Sequence, residues 1–419
     1  MTRALLLASL TVFIVAPVAA QAPGADGRLP QPWLALVNAN VVDVVTGEVE
    51  RGVTVVLRDG RIQSVTAGAP PSGAEVKDLA GKYVVPGLID AHTHLNSLAS
   101  AHRALATGVT TVRSASVGSF RDVALRELSA DGYIAGPDVL AAGLFVTPDI
   151  GDGVLADPEL RDLVRGVDTI ERLRRLTRAN VEHGVDFIKT RGTERAGLPD
   201  TDPRQQVYTR DELAAVVEEA GIAGVPVMAH AHGDEGGRAA VLAGVRSIEH
   251  GTYLSDETLT LMRDRGTFLV PTYSTIVDLV EPGGDYDDPV TRARGMHMLP
   301  RMARTFQRAH EIGVKIVTGA DVSYTPASLT RVSHEVANFV SLGMTPLEAL
   351  RTATLNAAEL LGIGESTGQV TSGFEADLIV VDENPLENVL VLQDPLMIVS
   401  NGRVAVDRVQ FAKGATPIP

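Results

Sequence analysis

Cysteine is absent from the chain, which excludes disulfide bonds and a thiol for lipid attachment. The stability of the protein must therefore come from its core. Positive charge is scarce, because 37 lysines and arginines face 52 aspartates and glutamates, for a formal net charge of -15. This balance argues against nucleic acid or an anionic membrane surface as a partner.

The amino terminus carries an apolar run that is too short to be a comfortable membrane span. The stretch from Ala4 to Val15 follows a basic residue, and a bilayer span needs about 20 residues. Small residues at Val18 and Ala20 suit signal-peptide cleavage before Gln21. A retained membrane anchor is the alternative interpretation.

We therefore interpret residues 1–20 as a secretory signal peptide and residues 21–32 as a polar linker. Export followed by cleavage predicts a soluble periplasmic or secreted protein without a membrane anchor. No internal repeat is evident in the remaining sequence.

Two segments with short β-branched runs lie at the ends of the mature chain. Residues 33–85 contain turn signals at Thr46-Gly47 and Asp59-Gly60, and residues 372–419 contain a strong two-residue hairpin turn at Asn401-Gly402. With 419 residues, 45% of them hydrophobic, the chain is long enough for one large domain and a small accessory one. We predict that the two end segments form one composite β-sandwich domain.

Residues 86–371 alternate apolar runs with helical patterns, which is typical of βα units. Helix starts are marked by a capping box at Thr209 and Glu212 and by another at 345–348. These features predict an α/β fold, a (β/α)8 TIM barrel. A doubly wound sheet is the alternative, but no Gly-rich nucleotide loop follows the first strand. The eight candidate strands are Val84 to His94, Val109 to Arg113, Val139 to Val146, Val185 to Thr190, Val225 to His230, Arg246 to His250, Thr267 to Thr272 and Lys315 to Asp321.

Potential metal ligands stand at the ends of several of these strands. His92 and His94 are two residues apart, so on a strand both side chains face the same side. Two neutral imidazoles there suit a divalent ion such as Zn²⁺. Because strand ends converge on one face of a parallel barrel, ligands distant in sequence can meet there. The other candidates at such ends are Lys189, His230, His250 and Asp321.

Lys189 and His232 leave alternatives open. As an ammonium, Lys189 would repel metal ions, whereas its carbamate would be an anionic ligand able to bridge two of them. Taken alone, Lys189 is better explained by a lysine that extends to the rim of the barrel, and only the surrounding ligands favour the carbamate. His232 stands one step beyond its strand and is better placed to reach substrate or an acceptor behind the ligands.

The ordered motifs of the chain resemble the amidohydrolase superfamily. Within it, the chain is similar to the branch that contains imidazolonepropionase-like proteins, binuclear dipeptidases acting on Xaa-Pro peptides, and ochratoxin-type amidases. The resemblance covers nearly the whole mature chain. It is carried by Val85 to His94, Phe187 to Lys189, Ala229 to Gly233, Ser247 to Thr252, Thr318 to Asp321, Met344 to Leu350 and Gly373 to Leu378.

This resemblance implies a binuclear metal site. His92, His94 and Asp321 would hold the first of two divalent ions, and zinc is the expected metal. The second would be held by His230 and His250, with a carboxylated Lys189 as the bridge.

The resemblance also implies the chemistry of the site. A hydroxide shared by the two metals would be the nucleophile. Asp321 would accept its proton and pass it to the leaving nitrogen, as general base and then general acid. His232 would be a second catalytic residue that contacts the substrate.

Substrate contacts are less defined by the sequence. Arg113, Tyr273 and Tyr324 stand near strand ends and are candidates for substrate binding alongside His232. Relatives place a histidine in the loop after the third strand, where this chain has aspartates, among them Asp149 and Asp152. These carboxylates are expected to disfavour a substrate α-carboxylate and to tolerate a cationic or neutral amide. The alternative is that both simply face water.

The predicted function is hydrolysis of a carbon–nitrogen bond in a small-molecule or short-peptide substrate: a dipeptide, an N-acyl amino acid or an aryl amide. Hydrolysis of a cyclic amide, lactone or carbamate, or mononuclear deamination, is the alternative. A deaminase commonly uses a glutamate near the fifth strand, and Glu235 is off that position. A non-catalytic scaffold should have lost ligands, and this chain retains them. Assembly as a homo-oligomer stays open.

Overall fold

The computed structural model describes residues 24, 27–29, 31–283 and 288–409. The predicted signal peptide, residues 1–20, lies outside the described residues, as does half of the predicted linker. No helix of the described part is both long and apolar enough to cross a membrane.

Strands from both ends of the chain pair in one eight-stranded sheet. Its order is β15-β14-β13-β5-β1-β2-β3, with β4 paired to β1. The antiparallel pair β5 and β13 joins the two ends, with Val84 opposite Val380. The strands are β1 Leu34–Val42, β2 Val49–Arg58, β3 Arg61–Thr66, β4 Glu75–Asp78, β5 Tyr83–Pro86, β13 Leu378–Val381, β14 Met397–Ser400 and β15 Arg403–Asp407.

Apolar side chains that alternate along these strands form a separate hydrophobic core for this sheet. Leu34, Leu36, Val55, Leu57 and Leu378 are fully buried together in one hydrophobic cluster. Each predicted β-run of the two end segments corresponds to an observed strand. Strands of the two end segments therefore pair with one another in one sheet.

The middle of the chain forms two parallel sheets. One has the order β6-β7-β8 and the other β12-β11-β10-β9. Single parallel bridges lie between Val146 and Thr190, between Leu269 and Ile316, and between Thr93 and Val322. The strands are β6 Leu88–Thr93, β7 Val109–Ser114, β8 Asp138–Leu140, β9 Ile188–Arg191, β10 Val227–Ala231, β11 Ser247–His250 and β12 Phe268–Val270.

Three of the eight predicted barrel strands differ from expectation. Of the run from Val139 to Val146, only the first two residues lie in a strand, β8. The run from Val84 to His94 is divided between β5 and β6, because Pro86 ends the first and the chain changes sheets at Gly87. A side chain at Gly87 would stand 2.1 Å from the Thr110 hydroxyl oxygen, so only glycine fits this crossing. The segment 315–321 makes bridges at its margins but no continuous strand in the described structure.

Helices follow most of the parallel strands. The capping boxes predicted at Thr209 and Thr345 are both present, each with its glutamate bonded back to the cap residue. Pro346 occupies the first turn of the second of these helices. The helices are α1 Leu98–Ala106, α2 Arg121–Ala130, α3 Ile170–Glu182, α4 Arg210–Gly221, α5 Asp234–Ala243, α6 Asp256–Arg265, α7 Tyr273–Asp278, α8 Pro289–Ile312, α9 Val332–Ser341, α10 Pro346–Thr352 and α11 Leu355–Leu361.

A carboxylate group of three residues lies where the terminal sheet meets the first parallel sheet. Asp138 opens β8, and Glu375 and Asp377 precede β13. Asn401 joins them, because its side chain donates to Asp138 over 2.9 Å and its backbone N–H donates to Asp377 over 2.6 Å. Burial raises the pKa of Asp138 to about 6, and the neighbouring Glu375 adds to the increase, so this joint is sensitive to ionisation.

Candidate metal centre

The structure brings the predicted ligands together at the carboxyl ends of the parallel strands. Two groups form, and within each the donor atoms lie within 4.8 Å of one another. The first consists of His92, His94 and Asp321, and the second of His230, His232 and His250. His232 therefore lies with the second group, which leaves open whether it is a ligand or a substrate contact.

Both imidazoles of the first group are oriented by hydrogen bonds on their Nδ1 atoms. His92 Nδ1 lies 2.7 Å from the carboxylate of Glu249, and His94 Nδ1 lies 2.8 Å from the carbonyl oxygen of Ser116. Their Nε2 atoms lie 3.3 and 3.1 Å from Oδ1 of Asp321. An acceptor at Nδ1 fixes the tautomer whose Nε2 carries a free lone pair, which is the form that binds a metal.

The imidazoles of the second group are also held by a hydrogen bond on one ring nitrogen. His250 Nδ1 bonds the Thr272 hydroxyl over 2.7 Å, and His232 Nδ1 bonds the Thr252 hydroxyl over 2.8 Å. His230 instead uses Nε2, 3.0 Å from the carbonyl oxygen of residue 194, which leaves its Nδ1 for the site. Each imidazole of this group thus keeps one nitrogen free to bind a metal ion.

Lys189 lies beside the first group, with its Nζ 3.4 Å from Nε2 of His92. It is 2% exposed. Burial lowers the pKa of Lys189 to about 8, although the carboxylates of Glu249 and Asp321 oppose the change. The neutral amine is therefore more abundant near neutral pH than in an exposed lysine.

Burial also keeps four of the histidines uncharged. It lowers the pKa of His92 to about 4 and that of His232 to about 3, and it lowers the pKa values of His230 and His250 well below the usual range. Asp321 behaves in the opposite way. Burial would raise its pKa, but His92, His94 and Lys189 lower it overall, so the site offers neutral nitrogens and an ionised carboxylate.

Glu249 is a buried carboxylate whose role was missed in the sequence. It is 0% exposed and accepts from Arg113 Nη2 over 2.9 Å as well as contacting His92. Burial alone would raise the pKa of Glu249, but Arg113 and His92 hold it at about 2. Glu249 immediately precedes His250 on β11, and its side chain is directed into the buried interior; strand alternation was the available signal.

Strained backbone is concentrated at this centre. Ser116, His250, Thr272 and Asp321 have φ angles of 89°, 76°, 48° and 50°. Non-glycine residues rarely adopt this left-handed region, and such strain persists where the surrounding structure fixes it, often at functional sites. Two of these residues are predicted ligands and two hold ligand imidazoles.

Two predicted substrate-binding residues lie in the interior and are absent from the described cavity wall. Arg113 is 0% exposed and donates to Ala91, Ser247 and Glu249. Tyr324 is 3% exposed and donates to Asp90 over 2.8 Å. The guanidinium of Arg113 and the phenol of Tyr324 are hydrogen-bonded to protein groups. The prediction that these two residues contact the substrate directly is therefore corrected.

Tyr273 is half-buried behind the cavity wall. It packs against the cluster that contains Ala196, Ile276 and Leu279, and its backbone N–H donates to Glu335 over 2.8 Å. Its ring supports residues that line the cavity and is not itself among the described lining residues.

The aspartates of the loop after β8 do not act as a free negative patch. Asp149 pairs with Arg191 over 2.7 Å and with Arg195 over 2.5 Å. Burial raises its pKa, but the bonds from Thr147 and these two arginines lower it overall, so it stays ionised and neutralised. Asp152 is exposed in a short 3-10 helix and is not among the described lining residues. The expectation that both repel a substrate carboxylate is therefore wrong for Asp149.

The centre opens into a cavity of about 350 Å³. The two ligand groups and Lys189 form part of its lining, and an apolar wall forms another part. That wall includes Phe145, Leu198, Ile276 and Leu279, with Arg195 nearby. The cavity can hold a small molecule with a polar group at the ligands and an apolar group against the wall.

Comparisons with known proteins agree with this arrangement. The sequence model of the amidohydrolase family matches residues 83–407 of this chain. Ochratoxinase from Aspergillus niger is 30% identical over 353 residues, which are 74% of this chain and 72% of that protein. Imidazolonepropionase from Klebsiella pneumoniae is 26% identical over 403 residues, 82% of this chain and 89% of that protein.

A solved structure shows the same fold. The crystal structure of an Xaa-Pro dipeptidase with bound methionine in its active site superposes with a TM-score of 0.79 at 27% identity, covering 88% of this chain and 99% of that one. The resemblance predicted from the motifs is confirmed. The chain belongs to the amidohydrolase family and is a hydrolase acting on carbon–nitrogen bonds.

Proposed function

We propose that the protein hydrolyses an amide or peptide bond of a small substrate with the help of two divalent metal ions, zinc being the expected metal. One observation carries this proposal. All the predicted ligand imidazoles have one nitrogen bonded to the protein and the other directed to a shared centre. Such outer hydrogen bonds normally accompany metal ligation.

The donor set fits two ions. His92, His94 and Asp321 would hold one, and His230 and His250 the other. When bound, the ions supply a water of lowered pKa and stabilise negative charge on the substrate carbonyl oxygen. Neutral imidazoles and an ionised carboxylate, as burial and pairing leave them here, are the protonation states that ligation requires.

Lys189 is proposed to carry a carboxyl group on its Nζ. The neutral amine attacks CO₂, forms the N–C bond and loses one proton, which gives an anionic carbamate. A pKa lowered to about 8 favours this reaction because only the neutral amine is a nucleophile. The carbamate would stand between the two ligand groups as their bridge.

Asp321 is proposed to move the proton during hydrolysis. Its carboxylate is ionised and lies beside both imidazoles of the first group. It accepts one proton as the water oxygen bonds to the carbonyl carbon, and it returns that proton to the nitrogen as the carbon–nitrogen bond breaks. Water is thereby added across the amide bond with no other reactant.

His232 is proposed to bind the substrate carbonyl oxygen. The Thr252 hydroxyl can donate to its Nδ1, which leaves an N–H at Nε2 facing the cavity. Because its pKa is lowered to about 3, the ring is a neutral donor near pH 7 and does not compete with Asp321 for protons. Service as a third nitrogen ligand of the second group is the alternative.

The proposal also includes the domain architecture and the cellular location of the protein. The three bridges between sheet margins support closure of the parallel strands into a (β/α)8 barrel over residues 86–371. The core of the terminal sheet supports a separate β-sandwich domain of residues 33–85 and 372–419. Residues 1–20 are proposed to direct the protein to the periplasm or the medium.

The test is the metal content of the wild type, Lys189→Ala and the control Lys315→Ala, each expressed with Zn²⁺ and bicarbonate. Lys315 is about half exposed on the same barrel, so its removal should leave the centre intact. We expect about two ions per protomer in the wild type and the control, with cleavage of a panel of dipeptides and N-acyl amino acids. Lys189→Ala should lose most of both. One ion or fewer, unaffected by Lys189→Ala, would refute the bridge and favour a mononuclear enzyme.

A further inference from the structure

A buried glutamate of α9 bonds the start of α7, the short helix beside the metal centre. Glu335 is 0% exposed. Its Oε1 accepts from the backbone N–H of Tyr273 over 2.8 Å, and its Oε2 accepts from the backbone N–H of Ser274 over 2.7 Å. These are the first two N–H groups of α7, and the first N–H groups of a helix have no acceptor within it. Glu335 therefore caps α7 from another element of the fold.

This cap differs from those of other helices in the protein. Helices α3, α4 and α10 are preceded by a threonine with extended backbone whose hydroxyl accepts from its own first turn, namely Thr169, Thr209 and Thr345. Thr272 stands at the same position before α7, but its φ of 48° is left-handed and its hydroxyl accepts from no N–H of α7. That hydroxyl instead bonds Nδ1 of His250 over 2.7 Å. The group that usually caps a helix is thus used here on a predicted metal ligand.

Helix α7 also contacts the centre beyond Thr272. The hydroxyl of Thr275 donates to the carbonyl oxygen of Ala320 over 3.0 Å, and Ala320 immediately precedes the ligand Asp321. Thr275, Ile276 and Leu279 line the cavity. A displacement of α7 would therefore affect both ligand groups and the cavity wall.

The carboxylate of Glu335 is kept in the interior at an energetic cost. Burial raises its pKa to about 7, although the bonds from Ser274 and Tyr273 oppose the increase. The Ser274 hydroxyl donates to Oε2 over 2.6 Å and accepts from Asn338 over 3.1 Å, so α9 holds α7 at several points. A neutral side chain would be less costly to bury, but a glutamine has only one oxygen to accept from the two backbone N–H groups.

We propose that Glu335 is a positioning residue of the metal centre: by capping α7 from α9, it leaves the Thr272 hydroxyl to hold His250 in the orientation that binds the second ion. This inference rests on the proposed function. The Thr272 oxygen accepts from Nδ1–H of His250, so Nε2 keeps its lone pair for the metal. Without the carboxylate, the first N–H groups of α7 need another acceptor, and Thr272 stands where a side chain normally supplies one. His250 would then lose the partner that fixes its tautomer.

The experiment compares the wild type with Glu335→Gln, Thr272→Val, the double variant and the control Glu348→Gln. Glu348 accepts from the backbone N–H of Thr345 in the capping box of α10, so its replacement removes the same kind of carboxylate from a different helix start. All proteins are measured at pH 8, above the pKa of about 7 of Glu335.

Two properties are measured. Nitrogen-15 NMR of the metal-free protein with labelled histidine shows which ring nitrogen of His250 carries the proton, and His250→Gln assigns the signals. Competition with a chelator gives the Kd of each bound zinc ion.

We expect the wild type and Glu348→Gln to keep the proton of His250 on Nδ1 and to bind both ions. Glu335→Gln and Thr272→Val should each populate the other tautomer and weaken one of the two ions by about 10- to 100-fold. The double variant should weaken that ion no more than the stronger single variant does, because both substitutions act on the same contact.

An unchanged His250 tautomer and zinc affinity in Glu335→Gln, an equal change in Glu348→Gln, or effects that multiply in the double variant would overturn the inference. If Glu335→Gln does not fold, Glu335→Asp takes its place. It keeps the charge but is one methylene shorter, so it should shift both properties part of the way, and no shift in a folded Glu335→Asp would overturn the inference as well.

The two proposals fail separately. Two zinc ions bound equally well by the wild type and Glu335→Gln would overturn the role of Glu335 and leave the proposed hydrolase intact. A wild type that binds fewer than two ions, with a His250 tautomer that is fixed in the wild type and lost in Glu335→Gln, would support the positioning of His250 and refute the binuclear site.

Discussion

Replacement of Glu249 by glutamine tests whether the buried carboxylate between Arg113 and His92 stabilises the fold and orients a metal ligand. The carboxylate accepts from Arg113, lies 2.7 Å from Nδ1 of His92, and accepts from the Ser247 hydroxyl over 2.5 Å. All of these groups are 0–1% exposed. Glu249→Gln keeps the size of the side chain but removes the only carboxylate that pairs with Arg113 among the described residues.

The expected loss of stability follows from the contacts. Removal of one partner of a buried ion pair costs about 3–5 kcal/mol, because the other charge stays buried. The glutamine oxygen can still accept from Arg113 and Ser247, so we expect the lower end, about 3 kcal/mol. Its amide N–H then faces His92 Nδ1 and favours the tautomer with a proton on Nε2. Metal affinity should therefore fall by about 10- to 100-fold.

The measurement is the free energy of unfolding from urea titration of the metal-free protein, together with zinc affinity from competition with a chelator. Glu359→Gln is the matched control. Glu359 pairs with Lys315, and both side chains are about half exposed. Such exposed ion pairs contribute at most about 1 kcal/mol to the free energy of unfolding. The effect should also depend on pH. The pKa of Glu249 is about 2 in the folded state, below the usual 4.5, so its contribution is complete above 4.5 and lost as the pH falls through about 2.

A loss for Glu249→Gln within about 1 kcal/mol of that for Glu359→Gln, or an unchanged zinc affinity, would refute this reasoning. The first result would mean that Arg113 finds another partner. The second would mean that the orientation of His92 does not depend on the carboxylate behind it.

Gly319→Ala should lower the free energy of unfolding by about 1–3 kcal/mol and weaken zinc binding, because the new methyl would stand 2.7 Å from Cβ of His92. Gly221→Ala, at a helical position with open space, should instead raise it by about 0.4–1 kcal/mol, so thermal melts that move both variants downward would contradict the prediction. The pKa of Asp138 is raised to about 6 from 3.8, so its contribution is complete below 3.8 and lost as the pH rises through about 6. Asp138→Asn, which keeps an oxygen for Asn401, should therefore gain more in melting temperature over the wild type at pH 8 than at pH 4.5; an equal difference at both values would contradict this.

The ligand positions could be predicted because one-dimensional rules apply to them. Parallel strands carry their carboxyl ends to one edge, so a histidine or aspartate after each apolar run points to the same place. The hairpin at Asn401-Gly402 and the capping boxes were predictable for a similar reason, because short-range backbone needs select those residues. Segment 315–321 was misjudged, since apolar composition does not determine whether a neighbouring strand bonds along its whole length.

The threonines that orient the ligands could not be predicted, because each contact results from a pairing between elements. Thr252 reaches His232 and Thr272 reaches His250 from loops about one βα unit further along the chain. Nothing in a threonine beyond a strand distinguishes it from a solvated one. Arg113 shows the converse error. An arginine at a strand end is usually a candidate for ligand binding, yet strand alternation directs this one inward to Glu249.

The loop after β8 shows why charge in a sequence must be judged with its spatial partners. In the sequence, Asp149 predicts a negative rim that repels a carboxylate. In the structure, Arg191 and Arg195 approach it from a different βα unit and neutralise it, with a donor of Arg195 to spare. Asp149 therefore adds no unpaired negative charge to this rim, and the sequence could not show this because both arginines come from a distant part of the chain.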